Sequence, residues 1–164
     1  MKELPVRKRN RLLNYDYGNN GAYFLTICTK DRIALFGEIV GAATCRPYIA
    51  LTEQGKILDE AILTIADIYD CVSAPEYVIM PNHVHLIIVI AADNSGRQVA
   101  APTIMRIVGN MKRVVSLRVG FSPWQKSFHD HVIRNLDEYN RIAEYIRSYL
   151  ITWEQDCHYT SVTS

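Results

Sequence analysis

Three observations predict an α+β sandwich for this chain. Short runs of β-branched and aromatic residues alternate with longer runs whose apolar residues recur every three or four positions. Those runs come in the order β, α, β, β, α, β, with one further helical run at the end. The stretch Tyr77 to Ile90 reads as strand, turn, strand about Pro81-Asn82. That order is the ferredoxin-like β-α-β-β-α-β sandwich, an antiparallel sheet with helices on one face, here with an added C-terminal helix. Its first and third strands are central neighbours, so Ala22–Cys28 should pair with the strand that begins at His83.

Residues 1–20 are basic and irregular and are expected to form an arm, its end pinned by Tyr15 and Tyr17. Asn19, Asn20 and Gly21 precede the first strand, Ala22–Cys28. Gly37 and Gly41 beside Ile39 and Val40 suggest loops and a small hairpin ending at Tyr48-Ile49-Ala50. Ile57, Leu58, Ala61, Ile62, Ile65, Ile68 and Tyr69 mark the first helix over 53–69, with Thr52 as its cap. Ala74–Met80 is the next strand, and the histidine strand runs to Ile90. Asp93-Asn94-Ser95-Gly96 is a loop, and Pro102 suits the first turn of the second helix. Ile104, Ile107, Val108, Met111, Val114 and Val115 are that helix's apolar face. Pro123 to Ile133 reads as a loop entering a strand. Asn135 caps the third helix, Glu138 completes a capping box, and Tyr139, Ile142, Ala143, Ile146 and Leu150 form the buried stripe.

The length of 164 residues favours one domain, spanning 21–156 between the arm and a polar tail at 157–164. A hydrophobic fraction of 49% with 21% charged residues can build a real core. The net charge of +1 excludes a globally basic nucleic-acid binder, but charge is unevenly placed. Lys2, Arg7, Lys8, Arg9 and Arg11 crowd the first twelve residues, and Arg106, Lys112, Arg113 and Arg118 lie in 101–120 without an acid. Two such segments could form a patch for a polyanion; a solvated arm and an ordinary helix face are the bland alternative. The four cysteines show no CxxC spacing, so neither a disulfide framework nor a thiolate zinc site is expected. Absence of a signal-like or membrane-length apolar run points to a cytoplasmic chain with no membrane partner.

The sharpest functional signal is His83-Val84-His85. Alternate side chains of a strand share a face, so both imidazoles point the same way and could bind one divalent cation. Two histidines make a weak site, and a third ligand or substrate oxygens would be needed. Tyr145 lies about 60° from Ile142 around the third helix, at the edge of the buried stripe, where its hydroxyl could reach over the sheet. His129 and His131 repeat the same-face spacing. They raise a rival four-histidine Zn²⁺ or Ni²⁺ site if their strand adjoins the first pair in register; otherwise they line a groove or support the site.

Pro81-Asn82-His83-Val84-His85 resembles the histidine–hydrophobic–histidine motif of HUH endonucleases, and the sequence from Arg7 to Asp156 resembles the REP-associated tyrosine transposases. The resembling runs include Tyr23 to Thr29, Leu35-Phe36-Gly37, Glu53 to Ile57, Met80 to His85 and Trp124 to Asn135. The resemblance implies the same ferredoxin-like fold and a single-stranded DNA endonuclease and strand transferase acting on hairpin-forming DNA, drawn from repeated palindromes near its own gene. It implies a covalent 5′-phosphotyrosine intermediate, with His83 and His85 holding Mg²⁺ or Mn²⁺. The family pattern Tyr-Ile-x-x-Asn-Pro-x-x-Trp falls on Tyr145 to Trp153, which gives Tyr145 the nucleophile's role. Tyr149 and Leu150 stand where that pattern has Asn-Pro. Tyr149 would then be a poor replacement metal ligand or a base-stacking group, and loss of the proline lets the helix run on to Thr152.

In this reading Arg7, Lys8, Arg9 and Arg11 clamp a hairpin stem. Arg106, Lys112, Arg113 and Lys126 hold phosphates, His129 and His131 border the DNA, and Trp124 or Phe128 stacks on a base or serves the core. The chain would be nucleoid-associated and monomeric, with a helix-exchanged dimer as the alternative. Two competing functions are a hairpin-binding protein of this fold with weak or lost catalysis, and a histidine-metal hydrolase that does not touch nucleic acid.

Overall fold

The structure is a computed structural model, and it describes residues 20–41, 47–91 and 102–152. The expected arm, the Asp93–Gly96 loop, Trp153 and the tail lie outside the described residues. The elements run β1 (Gly21–Cys28), β2 (Gly37–Val40), β3 (Tyr48–Leu51), α1 (Glu53–Leu63), α2 (Ile65–Ile68), β4 (Val72–Met80), β5 (His83–Ile90), α3 (Ile104–Val119), β6 (His129–Ile133) and α4 (Leu136–Thr152). The main sheet is antiparallel, in the order β4-β5-β1-β6, and β2 and β3 form a separate hairpin. With that hairpin set aside, the order is the ferredoxin-like one, and β1 pairs with the histidine strand from Gly21↔Ile90 to Cys28↔His83.

The alternation of β1 and β5 assigns their side chains to two layers. Tyr23, Leu25 and Ile27 of β1 and Val84, Leu86, Ile88 and Ile90 of β5 enter the main core with α1 and α3 residues such as Leu58, Ile62, Ile107, Val108 and Met111. The opposite face carries a smaller cluster, in which Ile87 and Ile133 meet Ala143 and Ile146 of α4. The added helix therefore covers the face that the two-helix sandwich alone would leave open.

Four local readings need correction. The expected single helix over 53–69 is two pieces, because Thr64 takes φ −80° and ψ −1° and caps one while starting the other. Ile68 is consequently exposed rather than on a buried stripe. The strand expected at Ala74 begins at Val72, with a register shift between Ser73 and Glu76. Pro75 lies there on an edge strand, where a missing N–H costs least. Pro102 is not in the first turn of α3; it precedes the cap Thr103, whose Oγ1 accepts from the Arg106 N–H.

Several joints are fixed by specific atoms. Thr52 Oγ1 accepts from the Gly55 N–H at 3.1 Å and donates to the Leu35 carbonyl at 2.6 Å, tying α1 to the loop after β1. A Cβ at Gly55 would sit 1.9 Å from the Phe36 carbonyl oxygen, so this close approach requires glycine. At the start of α4, Asn135 Oδ1 accepts from the Glu138 N–H at 2.8 Å, as a cap should. Glu138 reaches one residue further back than a capping box requires, to the Arg134 N–H at 2.7 Å.

Candidate functional site

The turn before β5 is clamped from one side. The Pro81 carbonyl accepts from the Leu35 and Phe36 N–H groups at 2.8 and 2.9 Å, and the Asn82 carbonyl accepts from the Thr29 N–H at 2.9 Å. This clamp fixes where β5 starts and so where its histidines point. His83 and His85 do share a face, with ring centroids 4.6 Å apart, and both are buried. His83 Nδ1 lies 2.8 Å from the side-chain oxygen of Asn82, and His85 Nδ1 lies 2.8 Å from Thr26 Oγ1. An amide oxygen can only accept, so the neutral His83 ring carries its proton on Nδ1 and turns a lone pair outward at Nε2.

α4 lays two tyrosines over this pair. Tyr145 is 38% exposed and stands 5.7 Å from the His85 ring and 6.1 Å from Phe24, which itself stacks on His85 at 5.3 Å. Tyr149, one turn on, is only 1% exposed, so it is part of the buried stripe and is not available to stack on a base. Its hydroxyl lies 3.1 Å from His83 Nε2. Its ring meets His83 and His85 edge-on at 5.6 and 4.5 Å and Tyr145 at 5.0 Å. Arg147, between the tyrosines, holds α4 to the sheet with a two-pronged ion pair to Glu76 of β4, which pushes its guanidinium pKa up through the hydrogen bonds and the opposite charge.

The residues present, as arranged, do not fit a divalent ion on both histidines. Both His83 nitrogens are engaged, and among the described residues no group of three or more His, Cys, Asp and Glu side chains converges as a metal site. Nor can the second histidine pair complete a four-histidine site. His129 and His131 are on β6, and β1 lies between them and β5. Thr26 is opposite both His85 and His129, which puts the three in one row across the sheet. His129 and His131 are therefore exposed at the rim of the site, and His131 is 2.8 Å from Glu138.

The other expected contacts scatter. Lys112 is spent on the fold: its ammonium donates to the Gln125 and Ser127 carbonyls at 2.9 and 3.4 Å and lies over the Trp124 and Phe128 rings, and burial lowers its pKa. Trp124 and Phe128 are themselves buried in the main core, and the Trp124 Nε1–H donates to the Lys112 carbonyl. Arg106 and Arg113 are exposed and, with Ile68, Tyr69, Gly109 and Asn110, line a shallow groove on the α3 side, across the sheet from the histidines. Lys126 is exposed in the loop before β6. Arg7, Lys8, Arg9 and Arg11 lie outside the described residues. Thr26, Asn82 and Phe24 complete the site without having been singled out. The sequence signal for Thr26 is its even spacing from Phe24 on β1, whereas Asn82 beside Pro81 carries only a turn signal.

No family model matches the sequence. By fold the chain is similar to a REP-associated tyrosine transposase. It overlays the structure of the REP-associated tyrosine transposase bound to a REP hairpin with a TM-score of 0.63, covering 87% of this chain and 74% of that one at 21% identity. Among individual proteins, an uncharacterized protein of Haemophilus influenzae Rd is 32% identical over 169 residues, 92% of this chain and 91% of that one. The chain belongs to one family with it. Among the described residues no helix is long and apolar enough to cross a membrane.

Proposed function

We propose that the chain binds hairpin-forming DNA and cleaves and rejoins one strand through Tyr145. The observation that carries this reading is the partly exposed Tyr145 hydroxyl-bearing ring standing over a buried histidine pair, on a fold shared with a transposase solved with a hairpin. In the reaction, the Tyr145 oxygen attacks phosphorus, the bond from phosphorus to the 3′ oxygen breaks, and that oxygen takes up a proton. The product is a 5′-phosphotyrosine ester and a free 3′ hydroxyl. Attack of a 3′ hydroxyl on the ester reverses the step, with no external energy source. The unperturbed phenol pKa of about 10 means that Tyr145 must lose its proton during attack. The exposed residues His129, Lys126 and Arg134, on and beside β6, are suited to contact a phosphate backbone. Repeated palindromes near the gene are the proposed source of the hairpin, and a monomer is the proposed state.

A second reading has its own support. The chain could bind hairpins while cleaving poorly, because Tyr149 occupies His83. A denaturing gel with end-labelled hairpin oligonucleotides, with Mg²⁺, Mn²⁺ or EDTA, separates the two. An adduct formed by the parent chain and by Tyr149→Phe but absent from Tyr145→Phe is the expected result. Native-gel binding of hairpins without any adduct would leave the binding reading in its place.

A further inference from the structure

We propose that Tyr149 is a built-in occupant of the position where a metal would meet His83, so that the histidine pair is closed to divalent cations while α4 is docked. This deepens the DNA-processing reading and rests on it only for why the pair would be expected to take a cation.

The closure follows from the lone pair at His83 Nε2. That nitrogen has one in-plane lone pair, which can receive a proton donor or a cation but not both. With the Nδ1 proton directed at Asn82, the Tyr149 hydroxyl 3.1 Å away donates to Nε2. A cation shared with His85 would have to come within about 2.1 Å of Nε2. The phenol ring is wedged over both imidazoles, with its centroid slightly closer to His85 than the imidazoles are to each other, 4.5 against 4.6 Å. Tyr149 cannot simply swing outward, since it is 1% exposed and packs with Met80, Leu150 and the β2–β3 residues Ile39 and Ile49. Opening the site therefore requires movement of the C-terminal half of α4, the same helix that presents Tyr145. Binding at the histidines and the position of Tyr145 are thereby coupled through one element.

The test is Mn²⁺ uptake by the full chain without DNA, read from the electron paramagnetic resonance of free Mn²⁺. The parent chain should show no saturable uptake that depends on His83. Tyr149→Asn, which removes the ring and offers an amide oxygen, should bind at least about tenfold more tightly. His83→Ala added to Tyr149→Asn should erase the gain. Saturable uptake by the parent chain that His83→Ala removes would overturn the proposal, as would no gain in a folded Tyr149→Asn. If that variant does not fold, nitrogen-15 long-range spectra of the parent chain's histidines decide. A neutral His83 protonated at Nδ1, unmoved by Mg²⁺ or Mn²⁺, is expected; a metal-dependent shift at its Nε2 overturns the proposal. Hairpin binding in EDTA, measured in parallel, reports on the DNA reading alone, so failure of one does not pass for failure of the other.

Discussion

On the face covered by α1 and α3, β5 presents Val84, Leu86, Ile88 and Ile90; on the face covered by α4, the same strand presents His83, His85, Ile87 and Val89. The first face is closed chiefly by aliphatic side chains from two helices, and its polar contacts, such as the Tyr77 hydroxyl donating to Asp59, lie at its edge. The second is closed by one helix, and its buried histidines have polar partners, His85 in Thr26 and His83 in Asn82 and Tyr149, while the exposed Arg147 pairs with Glu76 at its edge. A strand's period of two lets one sequence stretch serve both, provided every second residue is given over to packing. A buried polar site is tolerated where the opposite face alone supplies most of the hydrophobic stabilisation.

Ile88 and Ile87 make the sharpest test. They are chain neighbours, both 0% exposed, and differ only in face. Ile88→Ala opens a cavity inside the large cluster and should cost about 3–4 kcal/mol, whereas Ile87→Ala lies under a single helix that can settle inward and should cost about 2 kcal/mol. Urea unfolding with unchanged slope measures both. Equal costs would mean that the α4 face is packed as tightly as the other and that the two faces do not differ in this way.

A smaller effect should come from the cap that ties the first face together. Thr52→Ala removes both the acceptor for the Gly55 N–H and the donor to the Leu35 carbonyl. The expected cost is about 1 kcal/mol by urea unfolding. Because Leu35 and Phe36 also brace the Pro81 turn, the change should move the His83 ring resonances while leaving those of α4 before Ile142 in place. A cost near zero would show that the loop, not the hydroxyl, sets the start of α1.

The strands, the pairing of β1 with the histidine strand and the C-terminal helix were all legible, because alternation and three-to-four spacing carry through buried elements. The shared face of His83 and His85 was legible for the same reason. The break at Thr64 was not, since Ile65 and Ile68 keep the helical spacing across it and the change lies in backbone angles. The burial of Tyr149 was missed because a phenol at a stripe's edge reads equally as surface or core; what settles it is the partner His83, 66 residues away. Lys112 misled for a related reason. A lysine off the apolar face looks solvated until the Gln125–Ser127 loop folds over it and its carbonyls accept the ammonium's hydrogen bonds.

The smallest expected effect concerns acid. α4 adds the Glu138 and Arg147–Glu76 anchors to a small apolar cluster, whereas α1 and α3 rest chiefly on the large one, so falling pH should loosen α4 first. The Glu138 carboxyl is held below the usual glutamate range, chiefly by the Arg134 N–H and next by His131. A carboxyl whose folded pKa is depressed contributes stability that is present above its unfolded value and is lost as pH falls through the lower, folded value. The N-terminal turn of α4 should therefore hold through the ordinary glutamate range and fray below it. The Arg134 amide proton shift, followed with pH, should track the Glu138 carboxyl carbon, and Glu138→Gln should flatten both curves. If the amides of α1 and α3 shift at the same pH as those of α4, the two faces share one acid transition and their separate seating is wrong.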